Sequence, residues 1–370
     1  MQPHTKASYY RLLSANNLGL TGIKEGSAKM PEVIWDRFKI EALAFEGGGT
    51  KGVVYGGALK RLEEANLLQD IKNFAGTSAG AQTAAIAAFG YTAQETIDVL
   101  ASAPWNKLLD DQFGCLRDLW RLNTQYGFYK GEFLQEYLDN LFEAKSGKKK
   151  CTLRELYDLR GVHLKVGVIS VTEQNFQLID YLTEPDIPVS LAVRASSALP
   201  GVFTVVKWKD KVFVDGGLLG NLPANAFPGK KTLALDLVSK EDTEYEVTKR
   251  VNLPSGLLDH FGRLSTMVIN HAQIMRRHKM VADMREANHA FHTSSRLFGR
   301  KPAARMLDII KIPTGDAPVL DSDLDKVVIE QMVASGWVAI DKYLTGSLRD
   351  AKSKRSWKNG ITMVPPNSDF

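Results

Sequence analysis

Two short apolar segments of this chain each run directly into a glycine turn, and a helical pattern follows each turn. The first segment, residues 40–45, leads into a run of three glycines, and the second, residues 72–75, ends at Gly76. A strand, a glycine turn and a helix, repeated in succession, are typical of a parallel sheet with helices on both faces. The sequence therefore predicts an α/β fold with a mostly parallel sheet.

Beyond the second turn, the pattern predicts mostly helices up to residue 160 and several strands after it. Capping boxes of the form Thr-x-x-Glu begin at Thr92 and Thr152, and in such boxes the two side chains satisfy free amides of a helix's first turn. Further strands are predicted at residues 162–171, 175–182, 202–208, 211–214, 232–238 and 307–312. A surface loop is predicted at residues 240–248, and a last helix at about 323–344.

The length of 370 residues indicates one large domain, or one core with a smaller satellite. Residues 1–38 carry turn formers without a clear period, so we expect an N-terminal arm there. The main domain is predicted at residues 39–312, with a core at 40–240 that bears the motifs and a helical cap or lid at 255–290. A C-terminal helix and a basic tail are expected over residues 313–370.

Composition excludes several classes of protein. Apolar residues make up 44% of the chain and charged residues 24%, which excludes wholesale disorder and fibrous repeats. No apolar run reaches the ~18 residues of a membrane span. The first residues lack the apolar core of a secretory signal, so we expect a cytoplasmic protein. The two cysteines cannot form a disulfide framework and match no metal spacing, so no bound metal is expected.

The net charge of +5 is mildly basic, and the basic residues stand in separate clusters. Scattered clusters favour an anionic membrane surface over a nucleic-acid groove, which needs a denser stripe with stacking aromatic residues. An ordinary solvated surface explains any single cluster equally well. We expect no nucleic-acid partner and peripheral association with membranes.

The second glycine turn has the form G-x-S-x-G, with Ser78 between Gly76 and Gly80. A serine on a sharp turn from strand to helix needs a strained backbone, and only small neighbours allow the turn to close. The turn also places Ser78 at a helix N-terminus, which favours developing negative charge. This context predicts a nucleophile, and the alternative is a purely structural turn.

The first glycine turn contains Gly47, Gly48, Gly49 and Gly52 and allows three interpretations. A dinucleotide site would need an acidic residue at the end of the second strand, where the chain supplies Ser78 instead. A phosphate-binding loop would need Ser or Thr directly after its lysine. We favour an oxyanion hole, because consecutive glycines expose amides that can bind one oxygen atom.

A serine nucleophile needs a base, and the best candidate is Asp215. An apolar strand at residues 212–214 delivers this carboxylate into Gly216 and Gly217. The alternative is an aspartate that only caps the turn. None of the seven histidines stands at the end of a predicted strand, so none is favoured as the base.

Together these motifs resemble the patatin-like phospholipase family. The similar blocks are the glycine loop at residues 47–52, the serine turn at 76–80, the Ala-Ser-rich stretch at 194–203 and Asp-Gly-Gly at 215–217. The resemblance covers roughly residues 40–240. It implies a three-layer α/β/α sandwich with a helical C-terminal region, and a Ser–Asp dyad of Ser78 and Asp215 without histidine.

The resemblance also implies hydrolysis of lipid acyl esters, usually of phospholipids, with no metal or other cofactor. Within it, Gly47, Gly48 and Gly49 form the oxyanion hole and the remaining motif glycines support the turns. We expect apolar neighbours to raise the pKa of Asp215 by desolvation. The alternatives are a neutral-lipid lipase, an acyl thioesterase and an inactive module that binds lipid surfaces. A protein or small-molecule activator stays open.

Overall fold

The computed structural model describes residues 39–103, 127–238, 307–315 and 325–352. By its internal contacts the chain divides into two units, Met1–Lys39 and Ile40–Phe370. The predicted N-terminal arm, the surface loop at 240–248 and the cap at 255–290 lie outside the described residues.

The described part of the chain contains ten strands and eight α-helices. The strands are β1 (Ala42–Phe45), β2 (Asn73–Thr77), β3 (Gly127–Tyr129), β4 (His163–Ser170), β5 (Asn175–Ile179), β6 (Gly201–Phe203), β7 (Val206–Trp208), β8 (Lys211–Asp215), β9 (Thr232–Val238) and β10 (Leu307–Pro313). The helices are α1 (Val54–Glu64), α2 (Ala79–Ala88), α3 (Ala93–Ser102), α4 (Glu132–Ser146), α5 (Leu153–Arg160), α6 (Val189–Ser196), α7 (Gly217–Gly220) and α8 (Lys326–Lys352). A 3-10 turn, Gly49–Val53, precedes α1.

Eight of these strands form one sheet, paired in the order β10-β9-β1-β2-β4-β8-β7, with β5 also paired to β4. Every pairing from β10 to β4 is parallel, whereas β5 and β8 run antiparallel to β4. Strands β3 and β6 pair in a separate small sheet. The predicted α/β class with a mostly parallel central sheet is confirmed.

Strands β1 and β9 are interior strands of the sheet, and all their residues are buried. This burial explains their nearly continuous apolar sequences, because a parallel strand covered on both faces has no solvent side. Long helix α8 crosses α1 so closely that a Cβ on Gly57 would overlap the backbone of Val333. The C-terminal helix therefore packs directly on the first helix of the βα units.

The register around β4 brings two distant parts of the chain together. Gly167 pairs with Thr77 of β2 and with Leu178 of β5. The next residue, Val168, pairs with Asp215 of β8 and again with β5. Because β5 covers one side of β4 at both positions, β2 and β8 follow each other along the opposite side. The end of β2 therefore meets the end of β8.

The predicted single strand at residues 202–208 is wrong. It is divided into β6 and β7, which belong to different sheets. Thr204 at the break donates its amide to the carbonyl of Tyr129, and its own carbonyl accepts from Arg194. Tyr129 lies far away in the chain and Arg194 lies on helix α6, so the strand pattern of residues 202–208 does not show either contact.

Both predicted capping boxes, at Thr92 and Thr152, are confirmed.

Candidate active site

Ser78 lies at the turn between β2 and α2 with φ 54° and ψ −125°. This left-handed backbone is rare for a residue with a side chain and costs of order 1–3 kcal/mol, so the surrounding contacts must hold it in place. A Cβ on Gly76 would overlap the carbonyl of Gly80, and one on Gly80 would overlap the carbonyl of Phe45. Only glycine fits at these two positions of the motif.

Hydrogen bonds from neighbouring elements hold the serine turn. The amide of Ser78 donates to Oγ of Ser196 at 2.8 Å, and that hydroxyl donates to the carbonyl of Gly167 at 2.6 Å. Thr77 Oγ1 donates to the carbonyl of Gly220 at 2.9 Å. The strained turn is therefore tied to β4, α6 and α7 at once.

Asp215 ends β8 and is buried, with 5% of its surface exposed. Its Oδ1 accepts the amide of Gly217 at 2.7 Å, and the side chain of Ser78 lies close enough to favour the ionised carboxylate. Burial raises the pKa of Asp215 from its ordinary 3.8 to about 7, although the Gly217 amide and Ser78 both favour the ionised form. The structure thus pairs a strained serine with a carboxyl group that titrates near neutral pH.

The glycine loop lies directly against this pair. A Cβ built on Gly47 would stand 3.0 Å from Cβ of Ser78. The amide of Gly47 donates to the carbonyl of Asn221 at 3.1 Å. The amides of Gly48 and Gly49 donate to no other described residue, because they precede the first bond of the 3-10 turn, from Lys51 to Gly48.

The other predicted glycines surround the same point. A Cβ on Gly52 would lie 3.3 Å from Cβ of Ala79, directly after the serine. A Cβ on Gly216 would overlap the carbonyl of Gly167, and Gly217 supplies the amide that binds Asp215. The structure therefore brings together all the residues that the sequence predicted for this site.

His163 is the one histidine among the described residues, and it lies at the end of β4 that is remote from Ser78. It begins β4 opposite Asn73, whereas Thr77 pairs with Gly167, four positions further along. At about 3.3 Å per residue, that offset is roughly 13 Å. His163 Nε2 is bonded to Asp180 at 2.8 Å.

A family model described as patatin-like phospholipase matches residues 43–228 of the 370-residue chain, a span that contains the serine, the aspartate and both glycine turns. The chain belongs to the patatin-like phospholipase family. Members of this family are lipid hydrolases, so the predicted family and the general class of activity are confirmed.

Individual relatives agree with this membership. The uncharacterized protein YqhO of Bacillus subtilis is 32% identical over 224 residues, which are 56% of this chain and 73% of the relative. The probable lipid hydrolase 463L of invertebrate iridescent virus 6 is 25% identical over 185 residues, 50% of this chain and 61% of that protein. The match thus spans less than two thirds of the viral protein.

The fold has a solved counterpart in VipD from Legionella pneumophila. The two structures give a TM-score of 0.57 at 16% sequence identity, covering 83% of this chain and 67% of VipD. At this identity the likeness concerns the fold alone.

Within the described ranges, no group of three or more metal-binding side chains is placed to hold an ion. In the same part of the chain, no helix is both long and apolar enough to cross a bilayer.

Sequence reasoning missed two residues that contact the glycine loop, Glu46 and Asn221. Glu46 is buried and accepts the amide of Leu237 at 2.6 Å and the side chain of Asn221 at 3.1 Å. The available signal was the position of each residue, since Glu46 directly precedes the glycines and Asn221 directly follows α7.

Proposed function

We propose that this chain is a phospholipase A-type enzyme that hydrolyses fatty-acyl esters of membrane phospholipids through Ser78 and Asp215. The observation that carries the proposal is a strained serine beside a buried aspartate whose pKa is about 7. Family membership supports a lipid substrate, and the pair supplies a nucleophile and a base for a carboxylic ester.

Acylation begins when Asp215 accepts the Oγ proton and Oγ attacks the carbonyl carbon of the ester. The tetrahedral intermediate then collapses, the ester C–O bond breaks, and the lysophospholipid leaves with the proton that Asp215 held. An acyl group remains on Ser78. Water resolves this acyl-enzyme by the same steps, with Asp215 as base again, and releases the fatty acid.

The raised pKa of Asp215 addresses the weakness of an ordinary carboxylate as a base. A carboxylate with a pKa near 4 takes a proton from a hydroxyl poorly, and general bases work best when their pKa lies near the working pH. Burial brings Asp215 to about 7, which suits a neutral cytoplasm. A buried aspartate can therefore serve without a histidine.

Negative charge on the substrate oxygen is stabilised in this proposal by the amides of Gly48 and Gly49. The Gly47 amide already has a partner, so these two are the donors left in the predicted oxyanion set. The N-terminus of α2, directly after Ser78, adds the positive end of a helix dipole. Loss of one such donor typically lowers the turnover rate by 10²–10³.

The surface beside the site suits a substrate that lies in a membrane. Leu219, four residues after Asp215, is 43% exposed, and Lys51 of the glycine loop is partly exposed. Exposed apolar side chains and cations both favour contact with anionic lipid surfaces. We propose peripheral membrane association on this basis.

Lipid mass spectrometry tests the proposal. Wild-type protein incubated with vesicles of mixed phospholipid and triacylglycerol should release fatty acid and lysophospholipid, and Ser78→Ala should release neither. Ser102→Ala is the matched control, because it removes an exposed hydroxyl at the end of α3 and should leave the products unchanged. Products from triacylglycerol alone would indicate a neutral-lipid lipase. If no lipid gives products, the result would favour the inactive module that binds lipid surfaces.

A further inference from the structure

Asn221 joins the glycine loop to the element that carries Asp215. It directly follows α7, which begins two residues after Asp215. Its backbone carbonyl accepts the Gly47 amide at 3.1 Å, and its Nδ2 donates to the Gly47 carbonyl at 3.0 Å. One residue therefore holds both polar groups of Gly47.

Glu46 also binds the side chain of Asn221. Its Oε1 accepts Nδ2 of Asn221 at 3.1 Å, and its Oε2 accepts the amide of Leu237 in β9 at 2.6 Å. Only 2% of its surface is exposed, so these bonds form away from water, where they are stronger and more costly to lose. The carboxylate thus fixes Asn221 relative to the central strands.

Peptide geometry connects this contact to the oxyanion. The carbonyl of Gly47 and the amide of Gly48 belong to one planar, trans peptide unit and point in opposite directions. A bond that fixes the Gly47 carbonyl therefore also fixes the direction of the Gly48 amide. Since Asn221 follows the helix after Asp215, the same bond sets that amide relative to the base.

The geometry points to Asn221 and Glu46 as positioning residues that aim the oxyanion amide of Gly48. This inference rests on the proposed acyl transfer at Ser78. Neither side chain takes part in proton transfer. Their role is to hold the donor in place before the charge develops, where a small misplacement lowers the turnover rate strongly.

Asn221→Ala tests the role of the amide side chain. It removes the bond to the Gly47 carbonyl and leaves the backbone bond to the Gly47 amide. We expect kcat to fall roughly 10²-fold, near the lower end for loss of an oxyanion donor, with vesicle affinity within about twofold of wild type. Asn73→Ala is the matched control, because Asn73 also donates to a backbone carbonyl, at 2.8 Å, but at the opposite end of β2.

Glu46→Gln gives a second variant of nearly unchanged shape, which keeps an oxygen for the Leu237 amide. We expect a loss in kcat here too, and the double variant should be no slower than Asn221→Ala alone. The reason is that Glu46 acts through Asn221. Multiplied losses in the double variant would overturn the inference, as would wild-type kcat in either single variant.

A fluorophosphonate probe separates this inference from the proposed function. In the labelling reaction Ser78 Oγ displaces fluoride at phosphorus, and negative charge develops on the phosphoryl oxygen. Asn221→Ala and Glu46→Gln should both slow labelling of Ser78 at least tenfold, and Asn73→Ala should not. A wild type that labels on Ser78 but cleaves no lipid would refute the proposed substrate, while the labelling rates still decide the positioning role. A wild-type labelling rate in either variant would overturn the positioning role.

Discussion

At the scale of single residues, the role proposed for the buried carboxyl of Asp215 opposes the stability of the fold. Its pKa is about 7 in the folded chain and 3.8 ordinarily, so the folded state holds a proton that the unfolded state releases. A carboxyl group with a raised folded pKa stabilises the fold at low pH, and that contribution is lost as the pH rises towards 7. Above pH 7, the ionised carboxylate of Asp215 therefore destabilises the fold.

Asp215→Asn should relieve this destabilisation and abolish hydrolysis. At about 1.4 kcal/mol per pKa unit, the free energy of unfolding of the variant should gain about 2 to 3 kcal/mol over wild type between pH 5 and pH 8. Urea unfolding at the two pH values measures this gain. Asp186→Asn, at a highly exposed carboxylate, is the control and should show no such change. An equal gain at both pH values would contradict the raised pKa.

The rate of hydrolysis should also depend on the protonation of Asp215, and it should rise with pH where the stability falls. Because protonated Asp215 cannot accept a proton, kcat/KM should rise about tenfold per pH unit below pH 7 and level off above it. A pH profile from 5 to 9 measures this midpoint, and His163→Gln should leave it in place. A midpoint near 4, or one that moves in a histidine variant, would indicate a different base.

At the scale of structural elements, the glycine loop can be tested with two glycines that both have a positive φ. Gly49 has φ 58° and Gly147 has φ 67°, so alanine should destabilise the fold similarly at both positions, by of order 1 kcal/mol. Gly49→Ala should in addition lower kcat by roughly 10²–10³, because it disturbs the oxyanion amides. Gly147→Ala should keep wild-type kcat. Vesicle hydrolysis and thermal unfolding measure the two effects, and equal kcat in both variants would contradict the oxyanion role.

The crossing of α1 and α8 should affect stability but not chemistry. A Cβ on Gly336 would overlap the backbone of Val54, whereas a Cβ on Gly346 of the same helix meets nothing within 4 Å. Gly336→Leu should lower the free energy of unfolding by at least about 1–3 kcal/mol, the usual cost of overpacking. Gly346→Leu should be neutral or slightly stabilising, because glycine is a poor helix former. Denaturant unfolding distinguishes them, and equal midpoints would contradict the close crossing.

Sequence patterns predicted the individual elements well where the signal is local. The run at residues 232–238 matches β9, and Thr92 and Thr152 cap the helices as expected. The division between β6 and β7 was missed, because contacts from Arg194 and Tyr129 impose it. Local patterns describe what a segment can form, and distant partners decide where it ends.

At the scale of the whole molecule, the sequence predicted the site from its residue types. The structure shows how strand pairing brings those residues together. Small residues around Ser78 and an apolar strand before Asp215 are visible in the sequence. The meeting of β2 and β8 along one side of β4 is not, because strand register depends on pairing between distant segments. Glu46 and Asn221 were missed for the same reason, since their partners lie about 175 residues apart in the chain.

The central claim is that Ser78 and Asp215 act as one catalytic unit, and a double-mutant comparison of kcat on phospholipid vesicles tests it most directly. Ser78→Ala and Asp215→Asn should each reduce kcat to nearly the same residual level, and the double variant should be no slower than the slower single variant, because either change disables the whole unit. Fluorophosphonate labelling of Ser78 in the Asp215→Asn variant should fall in parallel. If the two losses multiply, or if the Asp215→Asn variant retains most of the wild-type kcat, the dyad is contradicted.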